Sequence, residues 1–140
     1  MARDEKLELL RSIPLFAGFG RRELERLSQL TDQVDLPEGR VLMRQGESGS
    51  EAFIIMDGSA RVERDGVLLS ERTNGEILGE IAILDEGHRT ATVTLTAPSR
   101  LLVVGHREFH ALMDEMPTVR ISVLSELARR VRSLEPDAGH

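Results

Sequence analysis

The chain has 140 residues, with 18 basic and 24 acidic side chains that give a formal net charge of -6. This length predicts one domain with a core of its own. The absence of cysteine excludes disulfides, thiolate catalysis and cysteine-ligated zinc. The acidic balance and the absence of Trp and Tyr argue against broad binding to nucleic acid. No apolar run approaches the roughly 18 residues that span a bilayer, so we expect no membrane anchor and a cytoplasmic location.

Two short helices are predicted before residue 31. Leu7 and Leu10 lie on one face of the first helix, which Pro14 ends, and residues 13–16 form an apolar turn. Leucines at three-residue spacing predict the second helix over 21–30.

Between Thr31 and Val104 the pattern becomes that of an all-β unit, and this stretch is strongly acidic. Short apolar runs alternate with turn residues, and Asp57-Gly58 and Asp65-Gly66 are typical of tight turns. Residues 31–116 carry eight bases and sixteen acids, a net charge of -8. The predicted strands are 33–36, 40–44, 52–56, 60–64, 67–71, 90–96 and 101–104.

Helical spacing returns after Gly105. Phe109 and Leu112 lie on one face of a helix that ends before Pro117. In the final helix an apolar seam follows heptad spacing, and either it packs on the β unit or it pairs with a second copy or closes over a ligand. The residues of this seam are Leu124, Leu127, Val131 and Leu134. The order of helices, β unit and helices predicts an α+β fold.

The segment 75–91 carries the chemistry that suggests a ligand. Gly79 lets a ligand approach the backbone closely, and the N–H groups of the following helical turn attract anions. Arg89 offers a planar fork to phosphate oxygens, and Thr90 adds a hydroxyl beside it. The Glu80 carboxylate can accept a hydrogen bond from a hydroxyl of a sugar that carries this phosphate. The alternative is a surface salt bridge between Glu80 and Arg89 around a structural turn.

This segment resembles the phosphate-binding cassette of cyclic nucleotide-binding domains. The resemblance rests on Gly79-Glu80-Ile81-Ala82-Ile83-Leu84 followed by Arg89-Thr90-Ala91-Thr92-Val93. It extends over residues 7–134 through the apolar turn 13–16 and the glycine turns at 37–39, 45–47 and 57–58.

The resemblance implies an eight-stranded antiparallel, jelly-roll-like β-roll flanked by N-terminal helices and a C-terminal helix pair. The single domain 1–140 would contain helices over 1–30, the β-roll over 31–104, helices over 105–134 and a frayed tail over 135–140. The cassette would occupy 78–91. The implied function is a stand-alone sensor of cyclic AMP or cyclic GMP that needs no cofactor and repositions its C-terminal helix.

The resemblance also implies roles for individual residues. Glu80 would accept a hydrogen bond from the ribose 2′-hydroxyl, and Arg89 would pair with the cyclic phosphate. The other implied ligand-binding residues are Gly79, Ile81, Ala82, Thr90 and Ala91 at the phosphate and Val62, Ile77 and Leu78 around the sugar and base. His88 and Leu78 depart from the family pattern, which commonly has proline and phenylalanine there.

Other interpretations stay open. The β-roll could be an interaction scaffold that binds no nucleotide, or the sensor half of a transcription regulator. We expect no enzymatic activity and no direct DNA binding, while a homodimer through the C-terminal helix and an unidentified protein partner remain candidates. His106 and His110 have helical spacing for a metal, but capping or exposed histidines are the default. Asp85 and Glu86 are interpreted as loop solvation rather than paired catalytic carboxylates.

Overall fold

The computed structural model describes residues 3–135 and divides the chain into two compact units. Among the described residues, one unit is helical and combines residues 3–29 with residues 111–135, and the other is formed by residues 30–110. The predicted tail falls outside the described residues except for Glu135, which follows the last helix.

The described part of the chain contains four α-helices, close to where the sequence predicts them. Pro14 begins a short 3₁₀ helix, Pro14–Phe16, and Pro117 is the first residue of the last helix. Both positions suit proline, because its φ is already helical and the missing N–H has no intrahelical partner there. The helices are α1 (Arg3–Ser12), α2 (Arg21–Gln29), α3 (His106–Glu115) and α4 (Pro117–Leu134). No helix within residues 3–135 is both long and apolar enough to cross a bilayer.

The helical unit packs leucine, valine and phenylalanine side chains together. The Phe16 and Phe19 rings lie 5.5 Å apart between their centroids. Glu23 accepts a hydrogen bond from the Gly20 N–H at 2.6 Å, which satisfies one of the free donors at the start of α2. The buried residues of this unit include Leu7, Leu10, Ile13, Leu15, Phe16, Phe19, Leu24, Leu27, Val119 and Val123.

The predicted apolar seam of α4 is mostly exposed. Leu124 and Val131 are each 58% exposed and Leu134 is 81% exposed, whereas the buried residues of this helix are Val119 and Val123. Helical amphipathicity was correctly predicted, but the buried stripe is a different one.

Residues 30–110 form antiparallel sheets, which confirms the α+β fold with a β-roll. The described residues contain ten strands: β1 (Asp32–Leu36), β2 (Val41–Met43), β3 (Ser48–Gly49), β4 (Glu51–Asp57), β5 (Ser59–Arg64), β6 (Val67–Thr73), β7 (Ile77–Leu78), β8 (Gly87–His88), β9 (Thr92–Leu95) and β10 (Ser99–Gly105). Two four-stranded sheets have the orders β1-β10-β4-β7 and β2-β9-β5-β6, and β3 pairs with β8. The two-residue strands β3, β7 and β8 add to the seven strands located from the sequence, because so short a strand shows no alternation.

The core of the roll joins the inner faces of the two four-stranded sheets. Ile55, Ala60, Leu95 and Leu101 are completely buried at its centre. Period-two alternation brings these side chains inward, since successive residues of a strand face opposite sides. The remaining buried members are Met43, Phe53, Val62, Leu78, Ala91 and Val93.

The two predicted Asp-Gly turns behave differently. Asp65 (φ 53°) and Gly66 (φ 78°) are both left-handed and connect β5 to β6, as a two-residue hairpin of the type I′ class requires. At Asp57-Gly58 the chain instead passes from β4 to β5, which belong to different sheets. Gly58 lies against Ser99, where a Cβ atom would meet the hydroxyl at 2.1 Å.

Short strands hold both ends of the segment between β7 and β8. β7 pairs with β4, with Leu78 opposite Phe53, and β8 pairs with β3, with His88 opposite Ser48. The intervening loop is therefore anchored to the roll on both sides.

Candidate functional site

The loop after β7 forms one tight helical turn, as the sequence predicts. Gly79 is left-handed (φ 72°), and the 3₁₀ helix Glu80–Ile83 follows it directly. The first hydrogen bond of this turn runs from the Ala82 N–H to the Gly79 carbonyl at 3.1 Å. The N–H groups of Glu80 and Ile81 precede that bond, so they lie at the end of the turn that attracts anions.

The backbone of Arg89 is fixed by the neighbouring β3 segment. Its N–H donates to the Glu47 carbonyl at 2.7 Å, and its carbonyl accepts from the Gly46 N–H at 2.8 Å. The pairing of β3 with β8 includes His88, the residue that stands where the family commonly has proline. Strand pairing thus orders this loop without a proline.

The side chain of Arg89 lies in a slot between two glycines. Its Nη2 donates to the Glu51 carbonyl at 2.7 Å. A Cβ atom at Gly49 would lie 1.9 Å from Arg89 Nε, and one at Gly79 would lie 2.5 Å from Arg89 Nη1. Both distances are far below van der Waals contact, so the guanidinium fits only because both neighbours lack a side chain.

Arg89 is a partly desolvated cation. Burial lowers the pKa of Arg89, and the nearby Glu51 carboxylate opposes that shift. Within residues 3–135 no ion pair involves Arg89, so the alternative of a surface salt bridge with Glu80 is wrong. The hydrogen bond to a neutral carbonyl leaves the positive charge of this half-buried guanidinium unpaired among the described residues. Such a guanidinium is suited to bind an anion.

A cavity of ≈ 540 Å³ adjoins this arginine, and every predicted ligand-binding residue borders it. Leu78 and Ala82 are buried in its wall, while Ile81 is exposed at 56%. The lining combines the turn and Arg89 with residues of the second sheet. The predicted residues brought together are Val62, Ile77, Leu78, Gly79, Glu80, Ile81, Ala82, Arg89, Thr90 and Ala91.

Several other residues of the cavity lining were not predicted from the sequence. They include Met43, Arg64, Leu69, Ser70, Arg72 and Val93. Alternation along β6 places Ser70 and Arg72 on one face, and that signal was available in the sequence. Alternation along one strand does not predict which loop lies against that face of the sheet.

The two adjacent acids after the turn point to different surroundings. Asp85 borders the cavity, whereas a carboxylate oxygen of Glu86 lies 3.5 Å from His106 Nε2. The two side chains therefore lie in different surroundings, and their interpretation as loop solvation stays a prediction.

His106 and His110 cap the helical turn from the first turns of α3. His106 Nδ1 lies 3.2 Å from the Ala82 carbonyl, and His110 Nε2 lies 3.0 Å from the Leu84 carbonyl. The two rings are in contact, with centroids 4.1 Å apart. Among the described residues no group of three or more His, Asp or Glu side chains is arranged to hold a metal.

The chain is similar to curated proteins from several bacteria. It is 28% identical over 131 residues to the cyclic AMP receptor protein of Thermus thermophilus, covering 90% of this chain and 61% of that protein. It is 32% identical over 113 residues to the Pycsar effector protein XpPycTIR of Xanthomonas perforans, covering 79% of this chain and 37% of that protein. The chain therefore spans less than two thirds of the length of these relatives.

Solved structures share the fold. The N-terminal domain of a transcriptional regulator from Streptomyces coelicolor superposes with a TM-score of 0.84 at 28% identity, covering 89% of this chain and 91% of that one. The catabolite activator protein of Thermus thermophilus gives a TM-score of 0.72 at 29% identity, covering 86% of this chain and 59% of that one.

The family model described as the cyclic nucleotide-binding domain matches residues 33–116. This match contains the cavity-lining turn, Arg89 and all ten predicted site residues. The chain belongs to the cyclic nucleotide-binding domain family.

Proposed function

We propose that residues 30–110 bind a cyclic mononucleotide, cyclic AMP or cyclic GMP, in the cavity beside Arg89. The observation that carries this proposal is the state of Arg89, which is half-buried, held between Gly49 and Gly79, and without an ion pair among the described residues. A bidentate bond to phosphate compensates the desolvation of such a guanidinium, because both partners are then charged and paired.

Each end of the nucleotide has a matching group. The cyclic phosphate bonds Arg89 and the N–H groups of the turn that begins after Gly79, with the Thr90 hydroxyl beside them. Glu80 accepts a hydrogen bond from the ribose 2′-hydroxyl, which gives a carboxylate a role next to an anion. Val62, Ile77, Leu78 and Ala91 supply apolar contacts to the sugar and base.

The proposed output is a change in the position of α4. The helix carries exposed Ile121, Leu124, Val131 and Leu134, and such a row of apolar residues gains free energy when a second surface covers it. Nucleotide binding would favour one position of α4 over another, by no more than the difference in ligand affinity between the two states. We therefore propose that the chain acts as a sensor rather than as a catalyst. The proposed location of this sensor is the cytoplasm.

Removal of the Arg89 guanidinium tests the proposal. Wild-type protein should bind cyclic AMP or cyclic GMP with a Kd in the micromolar range, which corresponds to roughly -8 kcal/mol. Arg89→Ala should lose about 2–5 kcal/mol of binding free energy, because the phosphate loses its charged partner. Isothermal titration calorimetry measures both, and thermal unfolding reports the stabilisation by bound ligand.

Arg100→Ala is the matched control. Arg100 is exposed, pairs with Asp35 at 3.0 Å and lies outside the cavity, so its removal should leave the affinity unchanged. Wild-type protein that gives neither heat nor thermal stabilisation with either nucleotide would contradict the proposal and favour the scaffold interpretation.

A further inference from the structure

The wall of the cavity farthest from Arg89 is formed by β6. In the second sheet the strand order is β2-β9-β5-β6, and Met43 of β2 lies beside Gly79 at the arginine end. Register places Val93 near Met43, Val62 opposite Val93 and Ser70 opposite Val62. Three strand spacings separate the two ends, about 14 Å along the curved sheet. A nucleotide whose phosphate lies at Arg89 therefore directs its base towards β6.

Arg72 presents an oriented guanidinium at that far end. It shares the inner face of β6 with Ser70 and borders the cavity. Its Nε donates to the Ser70 hydroxyl at 3.1 Å and lies 3.6 Å from a Glu76 carboxylate oxygen. Within residues 3–135 its two terminal nitrogens, Nη1 and Nη2, have no hydrogen-bond partner. The side chain is thus held at Nε while its terminal nitrogens remain available.

Arg64, a third arginine of the cavity, belongs to the phosphate end. Its Nε donates to the Thr90 carbonyl at 2.9 Å, one residue from Arg89. Of the three arginines that line the cavity, Arg72 is therefore the one that can donate hydrogen bonds to a base at the β6 wall. Glu76 is not part of the cavity lining, so its carboxylate does not offer the base a competing acceptor.

The two purines differ at the edge that such a donor would meet. Guanine presents two acceptors there, O6 and N7, and a guanidinium fork bonds both. Adenine presents the N7 acceptor beside the N6 amino donor, which faces another donor if Arg72 approaches it. We infer that Arg72 reads the O6 and N7 edge of guanine, so that the chain selects cyclic GMP over cyclic AMP; this rests on the proposed function.

Calorimetric titration with three nucleotides separates this mode of recognition from others. Cyclic inosine monophosphate keeps O6 and N7 but lacks the N2 amino group of guanine. Wild-type protein should bind cyclic GMP and cyclic inosine monophosphate with similar Kd values, and cyclic AMP about tenfold more weakly, the size expected for one bidentate contact. Cyclic inosine monophosphate that binds as weakly as cyclic AMP would overturn the inference, since selection would then act through N2.

Two substitutions test the residue itself. Arg72→Ala should bring the Kd values for cyclic GMP and cyclic AMP together, and Arg72→Gln should favour cyclic AMP, because a glutamine amide can bond adenine N6 and N7. Arg61→Ala is the control, since Arg61 lies on β5 outside the cavity lining and pairs with Glu63. It should leave the preference for cyclic GMP unchanged.

The failures of the two proposals are distinguishable. If neither cyclic nucleotide binds the wild-type protein, the proposed function fails. If both bind with equal Kd values, or if Arg72→Ala and Arg72→Gln keep the wild-type preference while retaining a folded circular dichroism spectrum, only the assignment of Arg72 fails.

Discussion

At the scale of single residues, two glycines determine where the Arg89 guanidinium can lie. Gly49 and Gly79 approach the Arg89 guanidinium from two directions, and each leaves too little space for a methyl group. Gly79 has a second constraint, because its φ of 72° is one that other residues adopt only at a cost. Conformation and space thus both require glycine at this position.

Gly79→Ala should separate binding from folding. The substitution should cost about 1–2 kcal/mol of unfolding free energy for the left-handed backbone. It should also displace Arg89, Met43 or the Glu51 carbonyl, since the new Cβ would lie between 2.5 and 3.2 Å from atoms of all three. We therefore expect a large loss of cyclic nucleotide affinity, measured by calorimetry, beside a moderate loss of stability in urea.

Gly66→Ala provides the matched control. Gly66 has a similar φ of 78°, but a Cβ atom there would meet nothing within 4 Å. It should lose a comparable amount of stability and keep its affinity. Equal affinity losses in the two variants would mean that backbone strain, and not the position of Arg89, controls binding.

The residues of the site could be predicted from the sequence where they are contiguous. Gly79, Glu80 and Arg89 lie within eleven residues, and their chemistry alone suggests a phosphate and a sugar. Ser70 and Arg72 were missed because they enter the cavity from a separate strand. Their place in the wall depends on sheet order and curvature, which single-strand periodicity does not contain.

At the scale of elements, α3 is joined to the helical turn after Gly79 by two histidines. His106 and His110 each donate to a carbonyl at the C-terminal end of that turn, at 3.2 and 3.0 Å. Such carbonyls have no partner within the turn itself, so the imidazoles satisfy groups that would otherwise be left to water. The turn and the first part of α3 are therefore held together by side chains from α3.

His106→Ala and His110→Ala should each loosen the turn. Loss of one net hydrogen bond, about 0.5–1.5 kcal/mol, should weaken nucleotide binding by roughly two- to tenfold. Amide hydrogen exchange in residues 82–86 should become faster in both variants. Because the rings are in contact, the double substitution should cost less than the sum of the two single losses.

Arg107→Ala is the comparison for this pair. Arg107 lies between the histidines on α3 and is exposed, so its removal should change neither exchange nor affinity. Unchanged exchange in His106→Ala and His110→Ala would show that the roll alone holds the turn.

Elements were predicted well where a period extends over several residues. The apolar runs of β4 and β10 and the helical spacing of α3 placed these elements within a few residues of their observed bounds. β7 and β8 were missed because two residues cannot alternate, yet they anchor the loop that forms the site. In α4 the spacing of apolar residues predicted an apolar seam. Which face of the helix is buried also depends on the neighbouring elements, and the spacing carries no information about them.

At the scale of the whole molecule, the proposed anion site lies in the most acidic part of the chain. Residues 31–116 carry a net charge of -8, so the general field repels a phosphate. Attraction must come from Arg89 and the adjacent N–H groups, whose effect is strengthened by partial exclusion of water. The acidic field would at the same time disfavour long polyanions, which need many cationic contacts.

The exposed face of α4 supports a further proposal, that two copies of the chain associate through this helix. Ile121, Leu124, Val131 and Leu134 are between 58% and 81% exposed, and the last three follow heptad spacing. Sedimentation velocity over a concentration series should detect a dimer of the wild-type protein. Leu124→Glu should shift the equilibrium to monomer, because a buried unpaired carboxylate destabilises the interface.

Leu68→Glu distinguishes α4 from another exposed apolar surface. Leu68 is 54% exposed on the edge strand β6, beside Val67 and Leu69. If α4 forms the interface, Leu68→Glu should leave the dimer intact. A dimer that survives Leu124→Glu and dissociates with Leu68→Glu would assign the interface to β6, and a wild-type monomer at every concentration would remove dimerisation from the proposed output. In that case the apolar face of α4 would have to act within one chain or on a different protein.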